Sequence, residues 1–283
     1  VGRTQDNLLI VFNRYTTEYF INQANEQFAF SRLTQKAIDA GIVGTHAWCE
    51  LDGYVFILGG RKRESPSMYI VGTGQIVGIA SRSVDKIIAE YSEAQLSGVK
   101  LEGRISERNK LLYVHLPDMV LVYNHGVAEK MGVDNAWSIL RTAQTKWRGI
   151  NGVFDPILNK WIYGDKFDSR IGYLNKKVAS QYGESVHSEF YSPLIPLESA
   201  SIDWLEINTI SGFNASDVNF FVSTTRDGAA YSKEWSKEAL ATLDYDHRYI
   251  VRRLGYVRNR IGFKFRSYHK DKINVGGLRV SYG

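Results

Sequence analysis

The sequence predicts a mainly β protein: propeller-like blades of about fifty residues carrying one or two short helices, then an antiparallel β-sandwich-like C-terminal region. Three observations lead there. Short β-branched and aromatic runs, set off by Gly, Asn and Asp, dominate the chain. Pairs of these runs recur at a nearly constant step. After about Lys177 the recurrence stops while the strand signals continue, so two domains are expected, 1–177 and 178–283. A chain of 283 residues with 44% apolar content, 25 Gly and 5 Pro is neither disordered nor collagen-like, and it can bury a core without metal or disulfide staples.

The paired runs are Leu8–Phe12 with Glu18–Ile21, Gly53–Leu58 with Met68–Val71, Leu111–His115 with Met119–Tyr123, and Lys160–Tyr163 with Arg170–Leu174. The second members begin at 18, 68, 119 and 170, so the steps are 50, 51 and 51. One four-stranded blade cannot cover its own two faces, which is why such units must stack. In the second unit Thr45–Glu50 reads as a strand, Asp52-Gly53 as its turn and Tyr54–Leu58 as the return, because Asp-Gly tolerates the positive φ of a tight hairpin. Gly72-Thr73-Gly74 turns the chain again before Gln75–Ile79. One helix is expected from about Ser83, its cap, to Ser97, with Ile87, Ile88, Tyr91 and Leu96 on its apolar side. A second is expected near Phe30–Ala40. Neither sits in a βαβ alternation, which argues against a Rossmann-type sheet.

Beyond residue 177 the candidate strands are Ile202–Ile210, Val218–Thr224, Arg248–Leu254, Val257–Arg266 and Ile273–Val280, a spacing that suits an antiparallel sandwich. The net charge of +5 is mild, but the segment Tyr245–Lys272 holds nine Lys or Arg against Asp246 and Asp271, so the rest of the chain sums to −2. Read as one strand, Val257–Arg266 turns Val257, Asn259, Ile261, Phe263 and Phe265 one way and Arg258, Arg260, Lys264 and Arg266 the other. That cation stripe is either a solvated outer face or an interface.

Recognisable catalytic chemistry is sparse. Gly72-Thr73-Gly74 lacks the glycine spacing and the strand-to-helix context of a dinucleotide site, and no phosphate loop ending in Gly-Lys-Ser/Thr occurs. Ser83-Val84-Asp85-Lys86 fits Ser-x-x-Lys without its partner motifs, and helix capping explains the serine. Asp244, Asp246 and His247 read as a polar turn rather than a metal site. The single cysteine, Cys49, excludes an internal disulfide framework and a multi-cysteine zinc site, and in its strand it reads as a small hydrophobe. No catalytic residue, metal or cofactor is expected. No apolar run approaches the roughly 18–20 residues of a membrane span, so no membrane partner is expected. No signal peptide opens the chain, and an initial valine is expected to mark a trimmed piece made in a reducing cytoplasm. Ser223–Tyr231 invites comparison with the Asp-box hairpin of sialidases and other propellers, with Asp227-Gly228 and Tyr231 in suitable places; such boxes are structural and imply no glycan hydrolysis.

The order of segments resembles the C-terminal portion of the packaged-DNA stabilisation proteins, the tail accessory factors or tail hubs of short-tailed phages of enteric bacteria. The likeness runs from Thr17-Glu18-Tyr19-Phe20 through Met68–Gln75, Ser83–Ile88, His115-Leu116-Pro117, Val120–Tyr123 and Tyr163–Lys166 to Arg252–Arg258 and Ile261–Arg266. The family carries a further N-terminal portion.

This resemblance implies a virion tail protein, made in the bacterial host cytoplasm. It would assemble below the portal–adaptor complex in a ring of neighbouring copies, extend the channel, stabilise packaged DNA and receive the tail needle, without catalysis. Arg258, Arg260, Lys264 and Arg266 are then interface or channel-facing candidates, with a protein interface favoured over non-specific contact with packaged DNA, because strong attraction to phosphate would hinder ejection. Two alternatives stay open. One is a glycan-binding or glycan-cleaving tail propeller; the other is a general nucleic-acid binder.

Overall fold

Hairpins that close between neighbours in sequence build the first part of the molecule. In the computed structural model, residues 2–3, 8–24, 26–72, 74–142, 145–175, 178–214, 216–270 and 273–283 are described. Two compact units result, Val1–Arg141 with Lys146–Gly172, and Thr142–Thr145 with Tyr173–Gly283. Residue 177, the boundary expected from the sequence, lies outside the described residues, as do Thr73, Asp271 and Lys272 of the motifs above.

The first unit is a series of antiparallel meanders, the blades. The first runs Gly2–Arg3, Leu9–Phe12, Thr17–Asn22, Phe30–Arg32. In the second, Gly41–Ile42 and Trp48–Leu51 both pair with Tyr54–Gly60, which continues to Ser67–Gly72 and Gln75–Gly78. The third holds Lys100–Ser106, Asn109–His115, Val120–Asn124 and Trp137–Thr142, with Thr145–Lys146 at its edge; the fourth holds Gly149–Asp155, Lys160–Asp165 and Ile171–Tyr173. All four predicted pairs are hydrogen-bonded hairpins. Asp52 and Gly53 take φ of 53° and 80°, the double positive that lets Leu51 face Tyr54 across a two-residue turn.

Each junction between blades combines an apolar cluster with an aromatic polar handle. Ile10 and Tyr19 pack on Val55, Ile57 and Val71 between the first and second blades, and the Tyr19 hydroxyl donates to the Gly72 carbonyl at 2.8 Å. Phe56, Leu58 and Met68 meet Leu112, Val114 and Tyr123 between the second and third, where Trp137 Nε1 donates to the Ile79 carbonyl at 2.8 Å. Tyr113, Trp147 and Tyr163 fill the next junction, and Trp161 Nε1 reaches the Ile105 carbonyl at 3.3 Å. Burying a large ring while its one donor is satisfied is the efficient use of Tyr and Trp.

The helices differ from expectation. The segment 83–97 forms two, Arg82–Ala89 and Glu93–Leu96. Ser81, not Ser83, caps the first, accepting from the Val84 amide, and Val84 joins Ile88 in the core. Ser92 restarts the second through a reciprocal capping box with Gln95, which is why one continuous helix does not form. Phe30–Ala40 is not helical. Phe30–Arg32 pairs with the Thr17–Asn22 strand, Thr34–Lys36 makes a 3-10 turn, and Ile38 bridges to Thr17. Strand pairing and burial of Ile38 and Ala40 override local helix propensity there. His125–Met131 forms a helix that periodicity missed, capped by the Asn124 side chain and ended by Gly132 at φ 86°.

The second unit is a β-sandwich. One sheet orders Val186–Tyr191, Arg260–His269, Val218–Thr225, Trp235–Leu240, with Ile195–Pro196 also on the Arg260–His269 strand; the other orders Tyr249–Val257, Ala200–Thr209, Val275–Tyr282. Leu205, Ile207, Phe220, Val222, Tyr249, Val257, Phe263 and Phe265 form the core. The single strand expected over Val257–Arg266 does not exist. Val257 ends a strand of one sheet and Arg260 begins a strand of the other, with a bend at Arg258 and Asn259 whose carbonyls accept from the Ser199 and Leu197 amides.

Candidate functional site

Side chains alternate along Arg260–His269, so Ile261, Phe263, Phe265, Ser267 and His269 enter the core while Arg260, Lys264, Arg266 and Tyr268 face outward. The outward cations do not form one stripe. Cross-strand neighbours take up the farther two. Lys264 Nζ lies 3.6 Å from Glu189 Oε1 and sits over the Tyr191 and Tyr231 rings. Arg266 pairs with Glu234, donates to the Tyr268 hydroxyl at 2.8 Å, and stacks over Phe221 and Tyr268. Both are half-buried, internally compensated charges that brace the sheet face.

The nearer two behave differently. Arg258 and Arg260 are exposed around the inter-sheet bend, and with Arg226, Tyr256 and Asn259 they line a concavity of about 470 Å³. Arg226 Nη2 donates to the Tyr256 carbonyl at 3.1 Å, and Arg260 Nε donates to the Arg226 carbonyl at 3.3 Å, so the walls are tied to each other. Tyr256 stays 58% exposed. It follows a bulge, where Arg253 at φ 63° and Gly255 at φ 85° lie opposite the register shift between Ile202 and Trp204. Bulges commonly re-aim a side chain in this way. Among the described residues, no carboxylate forms an ion pair with Arg226, Arg258 or Arg260. The sequence names Arg258 and Arg260 as candidates and holds Arg226 only within the Asp-box-like hairpin; that Arg226 joins the other two depends on which strands meet, which no local run of residues marks.

That hairpin has the bracing expected of an Asp-box. Asp227 Oδ1 accepts from the Ala229 and Ala230 amides, each at 2.9 Å, and from the Thr225 hydroxyl at 3.0 Å, and the two amides foremost hold its carboxyl below the usual range. Gly228 takes φ 83°, and Tyr231 bridges back to Thr225. A second concavity of about 490 Å³ beside it is lined in part by Thr225, Arg226, Asp227, Tyr231 and Trp235.

A cluster of titratable groups lies in the first unit. Glu102 accepts from the Asn151 amide at 2.8 Å and from Lys100, whose Nζ is 2.9 Å away. Its Oε2 is 3.3 Å from His115 Nε2, and Lys166 Nζ lies 2.8 Å from His115 Nδ1. An ammonium can only donate, so Nδ1 accepts and the His115 proton sits on Nε2, facing Glu102. Burial opposes the Glu102 charge, but hydrogen bonds from His115 and Lys100 bring its pKa down to about 2; burial lowers His115 and takes Lys166 down to about 8. The cluster joins the third blade to the fourth.

The other residues singled out from sequence have local roles. His247 contacts Asp244 Oδ2 at 3.3 Å through Nδ1 and the Glu238 carbonyl at 3.1 Å through Nε2, a polar turn. Cys49 is half-buried in its strand, and burial pushes its thiol up to about 11.

Comparison with known proteins places this arrangement. Two family descriptions match in succession: bacteriophage P22 Gp10, β-propeller, over residues 2–179, and bacteriophage P22 Gp10, β-sandwich, over residues 187–283. The tail hub protein gp10 of Salmonella phage P22 is 29% identical over 286 aligned residues, which cover 99% of this chain and 59% of that protein. The chain therefore spans 59% of the length of the curated relative it matches. An exo-β-1,3-galactanase from Phanerochaete chrysosporium aligns over 95% of this chain and 68% of its own at 9% identity and a TM-score of 0.21, a likeness too slight to carry any argument.

Proposed function

Because this chain belongs to the bacteriophage P22 Gp10 family, we propose that it is a structural protein of a phage tail, acting as part of the tail hub. The observation that carries this reading is the succession of both family modules, propeller then sandwich, over almost all of the chain. In this reading it assembles below the portal–adaptor complex as copies in a ring, extends the tail channel, helps hold packaged DNA and receives the tail needle. Its chemistry is that of assembly and not of turnover. Stacked blades suit the task, since each junction is closed by a buried cluster and an aromatic handle while loops and edges remain for neighbours.

The compensation of Lys264 by Glu189 and of Arg266 by Glu234 narrows the interface candidates to Arg258 and Arg260, joined by Arg226. Electron microscopy of the complete protein mixed with purified portal–adaptor complex tests the assignment. A new ring of density below the adaptor is expected. No added density, with portal and adaptor still joined, would overturn it.

The second concavity favours one other reading, a glycan-binding tail module, because it sets Tyr231 and Trp235 beside Thr225, Arg226 and Asp227. Saturable binding or cleavage of host surface polysaccharide would support that reading. Neither result in its presence would remove it.

A further inference from the structure

We propose that the concavity lined by Arg226, Tyr256, Arg258, Asn259 and Arg260 is a carboxylate-binding site that receives an acidic segment of a partner protein, an inference resting on the assembly role above. Three guanidinium groups are gathered around one concavity. Arg248, Lys264 and Arg266 of the same unit each have a glutamate partner, Glu206, Glu189 and Glu234 respectively. The three arginines of the concavity have no carboxylate partner among the described residues, so the unit gathers like charges there without offsetting them. Folding gains nothing from that repulsion, whereas an incoming anion would.

The kind of cation and its fixation point the same way. All three are guanidinium groups, whose planar fork matches a carboxylate in two parallel hydrogen bonds, which an ammonium cannot offer. Arg226 and Arg260 are each tied by one hydrogen bond to a backbone carbonyl within the lining, which limits the ordering cost on binding. The exposed Tyr256 ring supplies an apolar surface for the methylenes of an incoming glutamate.

Phosphates of a duplex fit less well. DNA affinity accumulates over many neutralised phosphates, and this site offers three cations around about 470 Å³. Along the same sheet the next cations are already occupied, and Glu189 and Glu234 would face the backbone.

The test is fluorescence anisotropy with the 283-residue chain, a labelled hexaglutamate peptide and a labelled duplex of about 20 bp, at about 50 mM salt. Hexaglutamate should bind saturably. Its affinity should fall roughly tenfold in Arg258→Ala/Arg260→Ala, about threefold in Arg260→Lys, which keeps the charge without the fork, and not at all in Arg61→Ala of the other unit. Both arginines are exposed, so an unchanged melting temperature of the variants verifies that they fold. The inference is overturned by any of three results: no saturable binding, an equal loss in Arg61→Ala, or tighter binding of the duplex through the same arginines. A ring of density on the portal–adaptor complex without peptide binding would sink this inference alone; peptide binding without a ring would sink only the hub assignment.

Discussion

The blade unit and the sandwich unit reach a buried β core by different routes through the sequence. In the blade unit almost every strand pairs with its neighbour in the chain, and the clusters lie between one meander and the next. In the sandwich, Ala200–Thr209 waits for Tyr249–Val257 and Val275–Tyr282, while Val186–Tyr191 pairs with Arg260–His269 some seventy residues later. Local closure makes stability nearly a sum of units and junctions; closure between distant strands makes it all-or-none.

The largest test of that difference is Phe263→Ala, which empties a fully buried site shared by both sheets of the sandwich. It should cost about 3–5 kcal/mol and raise hydrogen exchange throughout the sandwich strands together. Exchange confined to the Arg260–His269 strand would break the all-or-none description.

In the blade unit, Glu102→Ala should act at one junction. It removes the acceptor of the Asn151 amide and the carboxylate that faces Lys100 and His115, a loss of about 1–3 kcal/mol. Amides of the fourth blade should exchange faster while those of the first hold.

The same junction should respond to pH in one direction. Glu102 ionises near 2 in the fold against an ordinary 4.5, His115 stays neutral below its ordinary 6.5, and Lys166 loses its proton near 8 against 10.5. In each case the unfolded chain holds a proton that the fold has released, so stability rises with pH across each window. The Lys166 contribution grows from about pH 8 to 10.5; that of His115 is lost as pH falls below 6.5, and that of Glu102 as it falls from 4.5 towards 2. Urea titrations of wild type and Glu102→Ala at several pH values check this. An acid response of equal size in the variant would remove Glu102 from the account.

Smaller effects sharpen the picture of the junctions. Tyr19→Phe deletes the donor to the Gly72 carbonyl and should cost about 1 kcal/mol, read as faster exchange where the first blade meets the second. Ser81→Ala should cost about 1 kcal/mol by uncapping Arg82–Ala89, whereas Ser83→Ala should stay within about 0.5 kcal/mol. The reverse order would restore Ser83 as the cap.

Legibility follows the same division. The four hairpins of the blade unit could be read because each is contained in some fifteen residues with its own turn chemistry. The helix expected over Phe30–Ala40 failed because Tyr19 and Thr17 supply backbone partners that local propensity does not register. In the sandwich, Val186–Tyr191 and Trp235–Leu240 escaped notice, since each is recognisable only once the strand it borders is in place. The cation stripe was half right. Alternation put Arg260, Lys264 and Arg266 outward, but not which of them meets a glutamate.

By itself, then, the sequence determined the β class, the fifty-residue recurrence, the braced Asp227 turn and the outward side of the basic segment, because all rest on periods and turns written within a few residues. Only the tertiary structure decided that Val257–Arg266 breaks at Arg258, that Glu189 and Glu234 quench two cations, and that Arg226 joins the other two. Those outcomes depend on which strands meet across long separations, and pairing of that kind is fixed by burial of the whole core and not by any local run of residues.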